Sequence, residues 1–123
     1  MTRLSDIGAA LAELRDIHRL IVATTQEQAD GWRHDLVRLR RNLAEKLGEL
    51  IPLVRDSDPG RDSPAFDAFR KALSALRTAV AEHQGRWPAV LLDLSDPSYG
   101  TSLARVREAH ERLETSFRLL EGG

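Results

Sequence analysis

The chain has 123 residues, no cysteine and a formal charge of -1 at pH 7, with 18 Lys and Arg against 19 Asp and Glu. This length fits a single domain, residues 1–123, that can fold without a metal or a disulfide. The lack of cysteine excludes thiolate metal sites and cysteine nucleophiles, and the near-neutral charge gives no net attraction to nucleic acid or to anionic membranes. No apolar run approaches the roughly 20 residues of a membrane span, so we expect a cytoplasmic protein. Lys46 and Lys71 are the only lysines, a bias that favours a GC-rich bacterial source.

The first predicted helix carries a stripe with alternating spacings of three and four residues: Leu4, Ile7, Leu11, Leu14, His18 and Ile21. Ser5 and Asp6 are candidate N-cap residues near its start. Asp30 and Gly31 predict a break before the second helix. Because no proline enforces this break, a continuous helix of about fifty residues, which would need a dimer partner, is the alternative.

Three more helical stripes follow along the chain. The second stripe contains Trp32, Leu36, Leu39, Leu43, Leu47, Leu50 and Val54. The third contains Phe66, Phe69, Leu73, Leu76, Val80, His83 and Trp87, and the fourth contains Leu103, Val106, His110, Leu113, Phe117 and Leu120. Since four amphipathic helices can bury one another's apolar faces, the sequence predicts an all-α protein, an antiparallel four-helix bundle.

Turn-forming residues mark the boundaries between these helices. Pro52 is placed to kink or end the second helix, and residues 55–64 form the clearest loop. Ser63 and Pro64 have the sequence of an N-cap followed by a first helical residue. Pro88 must end the third helix, and residues 96–97, Asp and Pro, offer an early start for the fourth.

The segment between the third and fourth helices is too apolar for a solvated loop. Its large apolar residues are Trp87, Val90, Leu91, Leu92 and Leu94. One interpretation is a lid on the core, formed by a short helix that starts at Pro88. The other is an exposed patch that binds a partner protein, and these five residues are then the candidate partner-binding residues.

Three of the four histidines occupy positions in the buried stripes: His18, His83 and His110, whereas His34 is predicted to be solvated. Three imidazoles in one layer of the core could hold zinc or iron, with Asp93, Glu111 or Glu114 as a further ligand. Without a metal, buried histidines have lowered pKa values and could form a pH-sensitive switch. The third possibility is that each ring fills the core and hydrogen-bonds a neighbour.

Catalytic and nucleic-acid-binding patterns are absent from the sequence. No di-iron Glu-x-x-His pair, GxSxG elbow, phosphate-binding glycine loop or dinucleotide fingerprint occurs, so we do not expect an enzyme. The acidic residues of the loop, Asp56, Asp58 and Asp62, lack the glycine and glutamate positions of a calcium loop. The basic residues of the second helix, Arg33, Arg38, Arg40, Arg41 and Lys46, alternate with acidic residues, which favours a solvated face over a nucleic-acid-binding face.

The remaining hypothesis is a protein that binds another protein. By elimination, the sequence favours a cytosolic adaptor, regulator or chaperone-like protein that binds a partner segment or a second copy of itself as a homodimer. The alternative hypothesis is a sensor that binds a metal or another ligand through His18, His83 and His110.

Overall fold

The computed structural model describes residues 3–57 and 63–122, which form four α-helices and one short 3₁₀ helix. The α-helices are α1 (Leu4–Glu27), α2 (Trp32–Arg55), α3 (Pro64–Arg86) and α4 (Pro97–Gly122), and the 3₁₀ helix (Ala89–Leu91) lies between α3 and α4. This architecture confirms the predicted all-α four-helix fold with a short helical segment before the last helix. Asp58 and Asp62, two of the acidic loop residues considered above, lie outside the described residues.

The chain reverses direction between α1 and α2, so the alternative of one continuous helix is wrong. Gln28 has a φ of 48° and Gly31 a φ of 78°, both in the left-handed region. Two such residues within four positions cannot belong to a right-handed helix. The N-cap of α1 is Arg3 rather than Ser5, and the carboxylate of Asp6 accepts a hydrogen bond from the Arg3 backbone N–H at 3.2 Å.

The predicted N-terminus of α3 is confirmed. The hydroxyl of Ser63 accepts a hydrogen bond from the backbone N–H of Phe66 at 3.1 Å, and Pro64 is the first helical residue. After the segment between α3 and α4, helix α4 begins at Pro97, which is the earlier of the starts considered in the sequence. Pro52 does not end α2, which continues to Arg55.

The four helices share one apolar core and run antiparallel to their neighbours. Helices α1 and α2 form one closely packed hairpin, and α3 and α4 form a second. Side-chain pairs show the antiparallel register. Within the hairpins, Lys46 of α2 pairs with Glu13 of α1, and the rings of Phe69 in α3 and Phe117 in α4 lie 5.7 Å apart. Between the hairpins, Arg15 of α1 is 3.5 Å from Glu114 of α4. The largest fully buried side chains are Phe69, Ile7, Leu14, Leu36, Leu50, Leu76 and Leu113.

Each helix buries one apolar stripe and exposes charged residues on its outer face. Trp32, at the start of α2, is partly buried and packs against the core, as expected for a residue that anchors the end of the bundle. Because polar residues alternate with the stripes, no helix within residues 3–57 and 63–122 is long and apolar enough to cross a membrane.

Gly31 and Gly48 give a matched test of the turn between α1 and α2. We expect Gly31→Ala to lower the free energy of unfolding by about 1 kcal/mol, because its positive φ disfavours a side chain. Gly48→Ala should raise it by about 0.5 to 1 kcal/mol, because Gly48 lies inside α2 with open space around its Cα. Urea unfolding of both variants measures this difference, and equal stability of the two would contradict the assigned turn.

Candidate functional site

Residues 87–96, called the connector below, cross one end of the bundle between α3 and α4. The connector includes the 3₁₀ helix and contacts the first half of α2. Its backbone is mostly non-helical, so its carbonyl groups cannot all be satisfied by hydrogen bonds along the chain. Other parts of the protein must therefore supply donors to it.

Two arginines of α2 supply those donors. Arg33 donates from Nη1 to the carbonyl oxygen of Ala89 at 2.8 Å and from Nη2 to that of Leu92 at 3.0 Å. Arg40 donates from Nη1 to the carbonyl oxygen of Trp87 at 2.6 Å. The two arginines are seven residues apart and therefore lie on one face of α2. Hydrogen bonds from a charged donor are stronger than neutral ones, so this pair fixes the connector against α2.

The prediction of a solvated basic face on α2 is wrong for Arg40, which is half-buried, whereas Arg33 is exposed as predicted. Arg38 fits it, since its guanidinium is exposed and lies 3.8 Å from the carboxylate of Asp35. Both Arg33 and Arg40 also bind the backbone of the connector, which the sequence did not predict. Their seven-residue spacing was a signal in the sequence, but nothing local indicated which distant backbone they would reach.

The five predicted partner-binding residues divide into an inward and an outward group. Trp87 and Leu92 are 8% and 3% exposed, and Leu94 packs against the core while partly buried. Val90 and Leu91 are 70% and 77% exposed. The lid interpretation therefore describes the inward group, and the exposed-patch interpretation describes the outward pair.

Val37 is a further exposed apolar residue on α2. It lies one helical turn from both Arg33 and Arg40, so it is on the face of α2 that borders the connector. Its exposed fraction is 39%. We call Val37, Val90 and Leu91 the connector patch.

Two of the stripe histidines contact each other, and the third contacts α4 about two turns nearer the connector. The rings of His18 and His110 are in contact, with centroids 4.1 Å apart and planes tilted by 31°. His83 is on α3 and faces α4. Its Nδ1 is 2.7 Å from the hydroxyl oxygen of Ser102, and its ring centroid is 5.5 Å from that of Tyr99. His34 is exposed, as predicted.

Burial keeps these histidines neutral at pH 7. Desolvation lowers the pKa of His83 to about 4, with further lowering by the charges of Arg40 and His18. Desolvation, helped by His18, lowers the pKa of His110 to about 3. The pKa of His18 is lowered as well, by desolvation and by the charge of Arg107. Among residues 3–57 and 63–122, the buried Nε2 of His110 has no hydrogen-bond partner.

The arrangement gives no support to the predicted zinc or iron site. No group of three or more His, Asp or Glu side chains in the described parts of the chain is placed to hold a metal ion. The three carboxylates considered as further ligands have other contacts: Asp93 accepts from Ser95 at 2.6 Å, Glu111 lies 3.9 Å from Arg107, and Glu114 pairs with Arg15. Metal binding by the three histidines stays a prediction.

Tyr99 and Ser102 are site residues that the sequence reasoning missed. They continue the stripe of Val106 and His110 toward the start of α4, at spacings of three and four residues. Ser102 was not predicted as a buried stripe position because it is small and polar. Its contact with His83 borders an open polar groove of about 440 Å³ between α3 and α4, which Glu82, Arg86, Ser98, Thr101 and Arg105 also line.

The neutral histidines predict a loss of stability in mild acid. The unfolded chain takes up protons near pH 6.5, whereas folded His83 and His110 do so only near pH 4 and 3. Stability is therefore complete above pH 7 and falls as the pH drops from 6.5 toward 4, by up to about 1.4 kcal/mol per pH unit for each histidine. Urea unfolding between pH 7.5 and 5 measures this slope.

Two variants separate the buried histidines from the exposed one. His110→Leu should reduce the acid-induced loss and keep at least the original stability at pH 7, since it removes a buried nitrogen without a partner in the described chain. His34→Gln should leave the pH profile unchanged because His34 is exposed. An unchanged pH profile in His110→Leu would contradict the assignment of His110 as a buried neutral group.

Comparisons with known proteins do not assign this site. No protein-family model matches the sequence, and neither the curated proteins nor the solved structures contain a significant match.

Proposed function

We propose that this protein is a non-enzymatic helical bundle that binds a partner protein through the connector patch. The observation that carries the proposal is the exposure of Val90 and Leu91, at 70% and 77%, on a segment whose backbone is bound by two arginines. Exposed apolar side chains that lie together on a fixed segment offer a contact surface to another protein.

The fixed backbone favours binding for an entropic reason. A mobile loop would lose conformational freedom when a partner covers it, whereas the connector has already lost that freedom on folding. Burying Val90 and Leu91 fully would contribute about 1.5 to 3 kcal/mol for each side chain. Val37 enlarges the apolar area on the α2 side, and Arg33 places a guanidinium at its border.

The partner that fits this surface is the apolar face of an amphipathic segment, as in an adaptor, a regulator or a chaperone-like protein of the cytoplasm. A small convex anchor inserts into a groove or against an apolar helical face. The inward residues Trp87 and Leu92 support the anchor from beneath, so partner binding does not require the core to open.

Site-specific photo-crosslinking tests this proposal. A benzoylphenylalanine at position 91 should crosslink to one partner protein in the host cells, whereas the same group at position 119 should not. Leu119 is a matched control because it is 66% exposed on α4, away from the connector. A crosslink only to a second copy of the chain, or equal crosslinks at both positions, would contradict the proposal.

The affinity for the captured partner gives the quantitative arm of the same test. Val90→Ser with Leu91→Ser should weaken binding at least tenfold, because about 1.4 kcal/mol corresponds to a factor of ten. Leu119→Ser should change the affinity less than twofold. Both can be measured by titration calorimetry with the purified partner.

A histidine-based sensor is the second candidate function, and the contact between the His18 and His110 rings at 4.1 Å favours it. Metal content, measured by elemental mass spectrometry after equilibration with zinc or iron(II), tests its metal form. About one metal per chain, lost in His83→Leu, would support a metal sensor. Protein that stays empty would contradict the metal form.

A further inference from the structure

A second surface feature lies at the opposite end of the bundle from the connector. It is a cleft of about 450 Å³ on the seam between the two helical hairpins, where α2 and α3 pack less closely than the helices within each hairpin. Its lining residues are Ile51, Val54 and Arg55 from α2 and Phe66, Arg70, Leu73, Ser74 and Arg77 from α3. We call this feature the arginine cleft.

The arginine cleft combines an apolar floor with polar edges. Val54, Phe66 and Leu73 form its deepest part and are 3% to 5% exposed, so the cleft reaches the apolar core. Ser74 and Arg77 are exposed and lie three residues apart on α3, where one ligand group can contact both side chains. A molecule with an apolar body and a polar head matches this arrangement.

The charge of the cleft sets the charge of that head group. Among the described residues that line it, none carries a carboxylate. Arg55 pairs with the carboxylate of Asp56 at 3.2 Å, and Arg70 shares the carboxylate of Asp67 with Lys71, at 3.5 Å and 3.3 Å. Arg77 has no ion pair with any residue in the described parts of the chain. The guanidinium of Arg77 is therefore matched by an anionic head group, and one carboxylate is sufficient to pair with it.

We propose that the arginine cleft binds a small amphiphilic monocarboxylate, with its apolar chain against Val54, Phe66 and Leu73 and its carboxylate on Arg77. The hydroxyl of Ser74 donates a further hydrogen bond to the carboxylate. Guanidinium and carboxylate groups form paired, charge-assisted hydrogen bonds, which orient the head group. The inference is independent of the proposed partner protein, because the connector patch lies at the other end of the bundle.

The size of the cleft fits a small molecule. From Phe66 to Arg77 the cleft follows α3 for about 16 Å, at 1.5 Å per residue. The cleft offers about 450 Å³, which lies within the usual range for small-molecule sites.

Titration calorimetry with three ligands of equal chain length tests the head-group assignment. Decanoate should bind with a stoichiometry of one, whereas decanol and decyltrimethylammonium should bind at least tenfold more weakly, since neither offers Arg77 a negative charge. Decyl phosphate, with up to two charges, tests a lipid phosphate as the alternative source of the anion. Tighter binding of decyl phosphate than of decanoate would overturn the monocarboxylate assignment.

Variants of exposed residues test the location without disturbing the core. Arg77→Gln should weaken decanoate binding about tenfold to a hundredfold, the loss expected for a hydrogen-bonded charge pair. Ser74→Trp should abolish binding by filling the cleft. Arg105→Gln is the matched control, because Arg105 lines the separate polar groove between α3 and α4. Unchanged decanoate binding in Arg77→Gln, with circular dichroism showing an intact fold, would overturn the proposal.

Discussion

The hydrogen bonds from Arg33 and Arg40 to the connector are the interaction on which this account depends. A non-helical segment that crosses the end of a bundle brings carbonyl groups near the core, and an unsatisfied buried carbonyl costs about 1 to 3 kcal/mol. The arginines of α2 satisfy those of Trp87, Ala89 and Leu92. These hydrogen bonds join the α1–α2 hairpin to the α3–α4 hairpin at the connector end of the bundle.

The same contacts place the other features of this end of the bundle. In the connector held by these bonds, Trp87 and Leu92 are buried, whereas Val90 and Leu91 are exposed. Trp87 covers Tyr99, with ring centroids 5.5 Å apart, and Tyr99 in turn lies beside His83. The guanidinium of Arg40 also contributes to the lowered pKa of His83. Arg40 therefore binds the connector at Trp87 and also influences His83.

Local patterns in the sequence were sufficient for the helices but not for the candidate site. The stripes, the break at Gly31 and the Ser63–Pro64 start depend on residues close in sequence, and each was predicted. Arg33 and Ala89 are 56 residues apart, and their contact depends on how the two hairpins dock. The contact between His18 and His110 likewise depends on the axial register of α1 and α4. A periodic pattern places a residue on a face of its helix and leaves its distant partner undetermined.

Amide hydrogen exchange in a double variant tests the role of the arginines most directly. Arg33→Met with Arg40→Met keeps the apolar stems and removes the guanidinium groups, and Arg38→Met with Arg41→Met on the same helix is the control. The Leu91 amide, which donates to the carbonyl of Pro88 at 3.0 Å, reports on order in the connector. We expect its exchange to accelerate at least tenfold in the first variant only, with the core amides of α1 and α4 unchanged. Unchanged protection of Leu91 would show that apolar contacts alone hold the connector and would contradict the account.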